Sequence, residues 1–273
     1  MLEKFTYTNG FNETLEFGNG SLFVNENDLR DFAWKITSKN NKISGFKKGI
    51  VSKTIPVILK CDSETEGVNL RNRLFEVFEK DVLTEHPGKL HIGNYYLNCY
   101  ITAIQNTQYL INKNYMTASL TVQTDTPSWI KETTTTHQMS DGINEGFLDF
   151  PHDFVYDFTN DIVNADVINE SFVPSNFILK IEGEVTNPTL FINNHRYCVN
   201  VVVGEGELLI IDSVNKTITL NKNGQLINCF NERDRDSYIF EKIPTGVSAV
   251  TSTEPNLKFT LTLLEERSEP KWI

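Results

Sequence analysis

The sequence predicts an all-β fold with a single helix, divided between two domains. Three observations lead there. Apolar and polar residues alternate in the period of half-buried strands, turn signals recur about every ten residues in the second half, and only one stretch repeats apolar residues at helical spacing. A length of 273 residues suits two cores of ordinary size.

Asn9-Gly10 and Asn19-Gly20 open the chain as tight turns, since these residues tolerate the positive φ that hairpins need. Leu29 to Thr37 and Ile50 to Lys60 read as two extended stretches of a long hairpin, joined by the polar loop 38–49, "SKNNKISGFKKG". The helix follows at about 63–83: Ser63 with Glu66 forms a capping box, and Leu70, Leu74, Val77, Phe78 and Val82 make an apolar stripe that must cover a sheet. Pro87-Gly88 and Gly93-Asn94 then bracket short strands. Met116, Ala118, Leu120 and Val122 alternate with polar residues, and "TPSW" at 126–129 closes a first domain of residues 1–130.

Residues 131–150, rich in Thr, Gly and acids, read as a linker or extended arm, and residues 151–273 as a second domain. Phe177, Leu179 and Ile181 alternate there, as do Leu257, Phe259, Leu261 and Leu263. With no helix to serve as a crossover, this half reads as an antiparallel β-sandwich or jelly roll.

Composition narrows the function. The net charge of −11 argues against non-specific binding to nucleic acid or to an anionic membrane. No apolar run approaches the ~20 residues of a membrane span, and "MLEKFTYTNGF" lacks the pattern of a signal peptide, so synthesis and folding in a cytoplasm are expected. Cys61, Cys99, Cys198 and Cys229 form no C-x-x-C pair and read as small buried hydrophobes.

The stretch 201–212, "VVVGEGELLIID", invites reading as a phosphate loop. A dinucleotide fingerprint needs a third glycine and a following helix, but Leu209 stands where that glycine belongs and the next residues are β-branched, so Gly204 and Gly206 read as a turn between strands. His86, His91, His137, His152 and His195 show no zinc spacing, and Asp234 and Asp236 lack the glycine and ligand spacing of a calcium loop. No nucleophile elbow or P-loop is present, and no carboxylate pair is singled out. The expectation is a protein that is not an enzyme and takes no cofactor or metal.

Two charge features remain. Lys35, Lys39, Lys42, Lys47, Lys48, Lys53 and Lys60 occur with no acid among them. Asp141, Glu145, Asp149, Asp153, Asp157, Asp161, Asp166 and Glu170 occur with no Lys or Arg among them. Both can be solvated segments. Alternatively, the lysine hairpin meets the acidic arm of its own or another subunit, because complementary potentials fix register in assemblies.

In order, "FTYTNGFNETLEF", "NLRNRLFEVFEK" and "TPSW", then "FPHDFVYDF", "GEVTNPTLFINN", "GEGELLIIDSVNKTITL", "NGQLINCF" and "IPTGVSAV", resemble the siphophage distal tail protein (Dit) family over nearly the whole chain. The resemblance implies a tail-tube-like β-sandwich or split barrel with a helix and a protruding hairpin, followed by a galectin-like β-sandwich. It implies a structural hub of the tail tip of a phage or phage-like particle: a homohexameric ring joining the tail tube protein to a tail-associated fibre or lysin protein, docking receptor-binding proteins, with DNA only in transit through its channel and no membrane partner. No long insertion carrying an arm or sugar-binding module is visible. The interface residues this reading favours are Lys35, Lys39, Lys42, Lys47, Lys48 and Lys53 on the hairpin and Asp149, Asp153 and Asp157 on the arm. Two other readings stand beside it. One is a carbohydrate-binding sandwich using Tyr197, Tyr238 and Trp272; the other is a β-sandwich glycoside hydrolase.

Overall fold

The alternating run Tyr115–Thr124 is a strand with every second residue buried, and the same rule builds most of the molecule. The computed structural model describes residues 4–24, 26–111, 114–139, 165–254 and 257–272. Two compact units emerge, residues 1–131 with 266–273 and residues 132–265.

The first unit holds β1 (Phe5–Thr8), β2 (Thr14–Phe17), β3 (Leu22–Val24), β4 (Lys35–Lys39), β5 (Lys42–Lys47), β6 (Val51–Lys60), α1 (Glu64–Leu83), β7 (Gly88–Ile92), β8 (Tyr95–Ile111), β9 (Tyr115–Thr124) and the start of β10 (Trp129–Gln138). One sheet runs β10-β8-β7-β1-β2, and a second runs β8-β9-β6-β3. Both use β8: its first residues pair with β7, and from Tyr100 onward it pairs with β9 through several register shifts. Such bulges bend a strand, which lets one strand serve two sheets. The core between them includes Tyr7, Phe17, Ile55, Leu97 and Trp129, and α1 closes it with Leu74, Val77 and Phe78.

α1 starts where the capping box places it. Ser63 Oγ accepts from the Glu66 amide at 3.2 Å, while Glu66 Oε2 reaches back to the Asp62 amide, one residue before the cap. Val82, counted in the buried stripe from its spacing, is exposed instead.

The second unit continues β10 and adds β11 (Ala165–Asn169), β12 (Asn176–Glu182), β13 (Val185–Thr186), β14 (Thr189–Ile192), β15 (His195–Cys198), β16 (Val202–Val203), β17 (Leu208–Asp212), β18 (Thr217–Lys222), β19 (Gln225–Asn228), β20 (Gly246–Ser252) and β21 (Lys258–Arg267). Strands β19-β18-β17-β12-β21 form one sheet and β11-β20-β14-β15 another. Phe177, Leu209 and Phe259 from the first meet Val167, Leu190 and Val250 from the second in one core, so this unit is a two-sheet sandwich.

Two boundaries differ from the sequence reading. Residues 131–138, read as the start of a linker, are strand: the Thr-rich run is β-branched, and Thr134 and Thr136 hydrogen-bond across to Thr262 and Thr260. Residues 266–273, assigned by sequence to the second domain, belong to the first unit, where Arg30 donates to the Pro270 carbonyl at 2.8 Å. The rest of the expected arm, 140–150, lies outside the described residues.

Gly204 to Glu207 is a turn, with the Glu207 amide donating to the Gly204 carbonyl and Gly206 at φ 73°. It does not close a hairpin, because β16 pairs with β13 whereas β17 pairs with β12 and β18. Glu207 folds back to accept from the Gly204 amide at 3.0 Å and pairs with Lys222 at 2.8 Å, which occupies the turn with its own side chain.

Candidate assembly surface

The expected pairing of Leu29–Thr37 with Ile50–Lys60 does not occur: residues 29–34 are not strand, and β6 pairs with β3 and β9 instead. The stretch from Lys35 through the polar loop folds back on itself as a hairpin of its own. Among the described residues, strands β4 and β5 pair only with each other, as a two-stranded ribbon. Asn40 and Asn41 form its tip with φ of 53° and 58°, the signature of a type I′ turn, whose twist suits a hairpin.

Register decides what the ribbon presents. Lys35 faces Lys47 and Lys39 faces Lys42, while Ile36 faces Phe46 and Ser38 faces Ile43, the shift between Thr37 and Ser38 being taken up at Ser44. Directly opposed residues share a face, so the four lysines lie on one face and Ile36, Ile43 and Phe46 on the other. Trp34 joins the apolar face two residues before Ile36, with its ring edge-on to Phe46 at 6.5 Å. These four apolar residues are 48–61% exposed.

Both faces are costly in an isolated subunit. Like charges directly opposite each other destabilise a strand pair. A lone two-stranded ribbon is marginal in water, and clustered exposed apolar side chains mark contact sites.

Of the six lysines expected at the interface, Lys35, Lys39, Lys42 and Lys47 are exposed on the ribbon. Lys48 sits at its root, donating to the Pro127 carbonyl and Ser128 Oγ at 3.1 and 3.0 Å beneath Trp34. Lys53 does not belong with them. It lies in β6, only 6% exposed, and its Nζ donates to the Asp28 and Asp31 carbonyls at 2.6 and 2.5 Å. It fastens the 28–31 turn to the sheet, and burial holds its pKa below the ordinary lysine value. Asp149, Asp153 and Asp157 lie outside the described residues.

The root of the ribbon also borders a cleft of about 210 Å³ whose lining includes Phe32, Val51, Leu97, Pro127 and Trp129 together with Lys48 and Lys53. Those two ammonium groups are already bound to carbonyl and hydroxyl oxygens. Among the described residues, no group of three or more His, Cys, Asp or Glu converges as metal ligands would. His137 stacks on Phe259 and His195 Nε2 lies 2.9 Å from the Tyr238 carbonyl, so both are held within the sandwich; His152 lies outside the described residues.

The aromatic trio suggested for a glycan does not form a platform. Tyr197 is 1% exposed, its ring edge-on to Phe177 and its hydroxyl donating to the Glu241 carbonyl. Tyr238 and Trp272 are exposed but belong to different units, and Trp272 carries the Arg30 guanidinium over its ring at 4.0 Å.

A second apolar surface lies on α1 and was not anticipated. Val68, Phe75 and Val82 recur every seven residues, with Leu83 beside the last, and all four are exposed. They begin one residue after buried Gly67, so this stripe lies about 100° round the helix from the one that packs on the sheet. The sequence did carry this signal, as a second seven-residue repeat displaced by one position.

No known family profile matches the chain, and no curated protein matches it. Solved structures do. The SPP1 Dit (gp 19.1) protein, described as a paradigm of the hub adsorption apparatus in phages infecting Gram-positive bacteria, superposes with a TM-score of 0.62 at 11% identity, covering 96% of this chain and 99% of that one. Chains of the phage P2 baseplate in its activated conformation, with calcium and with strontium, each superpose with a TM-score of 0.62 at 12% identity, covering 99% of this chain and 100% of theirs. The chain shares its fold with these phage hub and baseplate chains over nearly their whole length.

Proposed function

We propose that this chain is a structural hub protein of a phage or phage-like tail tip, six copies of which form a ring between the tail tube and the fibre-bearing proteins below it. The observation that carries the reading is the ribbon β4–β5. Its lysine and apolar faces are each unfavourable in a lone subunit and favourable once a neighbour covers them. End-to-end likeness to Dit and baseplate chains supports the same assignment. The work of such a protein is done by surfaces rather than by a catalytic centre. Its partners are the tail tube protein, a tail-associated fibre or lysin protein and receptor-binding proteins, with DNA passing through the ring. Asp149, Asp153 and Asp157 are the acidic counterpart we assign to the lysine face.

Negative-stain imaging and mass photometry at micromolar concentration test this directly. Rings with sixfold symmetry are expected, and they should loosen as salt approaches 1 M, where screening acts beyond about 3 Å. A chain that stays monomeric at every concentration would remove the basis of the hub assignment.

A further inference from the structure

We infer that the apolar face of the ribbon in one copy docks on the exposed stripe of α1 in the next; this deepens the ring reading above by naming its two contacting surfaces. Among the described residues, each copy carries two distinct exposed apolar patches, Trp34, Ile36, Ile43 and Phe46 on the ribbon and Val68, Phe75, Val82 and Leu83 on the helix. Two different patches on one chain make a heterologous contact, the kind that generates rings when the rotation closes.

The patches match in size, and the two elements that carry them are opposite in charge. From Val68 to Val82 the helix rises about 21 Å at 1.5 Å per residue, and from Trp34 to Lys39 the ribbon spans about 17 Å at 3.3–3.4 Å per residue. The ribbon bears lysines and no acid. The helix and its N-terminal flank bear Asp62, Glu64, Glu66, Glu76 and Glu79 against three cations, Arg71, Arg73 and Lys80, of which Lys80 is paired with Glu13, so acid is in excess. A basic ribbon is therefore steered toward an acidic helix before the apolar faces meet.

Complementation tests the pairing. Phe46→Glu spoils the ribbon and leaves the helix intact, and Phe75→Glu does the reverse. Both positions are exposed, so circular dichroism and melting temperature should stay near wild type. Each variant alone should run as a monomer of 31.2 kDa. An equimolar mixture retains one intact ribbon and one intact stripe, so it should give particles of twice that mass and nothing larger. In parallel, Ile43→Cys and Phe75→Cys copies should form a disulfide only when mixed, since the four native cysteines are buried. If Phe75→Glu still forms wild-type rings, or the mixed cysteines fail to cross-link in an assembling sample, this contact is wrong while the hub assignment stands. If the wild-type chain never assembles, both fall together.

Discussion

Asp81 shows how a single buried group can hold one end of this molecule. It lies on the inner face of α1, fully buried, where Oδ2 accepts from Tyr7 Oη at 2.5 Å and Oδ1 accepts from the Gly10 amide at 2.9 Å. The Asn9-Gly10 turn is thus tied to the last turn of the helix, and a side chain at Gly10 would strike His86. Hydrogen bonds to charged groups contribute about 1.5–3 kcal/mol, so Tyr7→Phe should lower the unfolding free energy by roughly that much, seen as a lower urea midpoint at unchanged slope. The same residue sets a pH dependence. Burial, then the neighbouring Cys99 and Asp81, push the Tyr7 hydroxyl well above its ordinary pKa. A raised folded pKa contributes stability that is fully present below the unfolded value of about 10 and is lost as pH rises past it. Denaturation midpoints measured between pH 8 and pH 11 should therefore fall less steeply in Tyr7→Phe than in wild type; parallel curves would show that this hydroxyl is not the group responsible.

At the scale of elements, legibility followed the strength of the local signal. The helix was readable to within a residue because Ser63 caps it and Leu74, Val77 and Phe78 repeat on one face. Strand β9 was readable because one of its faces is buried. The ribbon was not, because both its faces are exposed and its alternation is between lysines and isolated apolar residues, a pattern that composition alone presents as polar loop. The clue was Asn40-Asn41, a pair suited to positive φ at both tip positions. Lys53 shared its charge with the ribbon, and only the fold separates it by drawing it to the Asp28 and Asp31 carbonyls. Asn41→Val puts a β-branched residue at φ 58°, where left-handed geometry costs about 1–2 kcal/mol. Since the ribbon contributes nothing to the core, the global melting temperature should hold, while amide exchange across 35–47 accelerates and assembly weakens. Asn41→Gly should leave all three unchanged. Loss of global stability in Asn41→Val would mean that the ribbon is part of the cooperative core after all.

For the whole molecule, the decisive fact is that the chain passes between units twice, within β10 and again within β21. The domain order legible in the sequence misses this return, since β21 runs unbroken from the sandwich through Arg267 and the few residues after it read as its continuation. Each unit has its own core and a size typical of an independent domain, so calorimetry should resolve two transitions. Phe17→Ala and Phe259→Ala empty fully buried sites in different cores, at about 3–5 kcal/mol each, and each should lower a different transition. Deleting residues 266–273 then makes the discriminating case. It removes the Pro270 carbonyl from Arg30 and the Trp272 ring beneath its guanidinium. The cut lies at the far end of the sequence from the first unit, yet the transition that moves with Phe17→Ala should be the one that drops, with the other held. If the deletion instead lowers the transition assigned by Phe259→Ala, the tail belongs energetically to the sandwich. If all three changes shift a single transition, the two cores unfold as one.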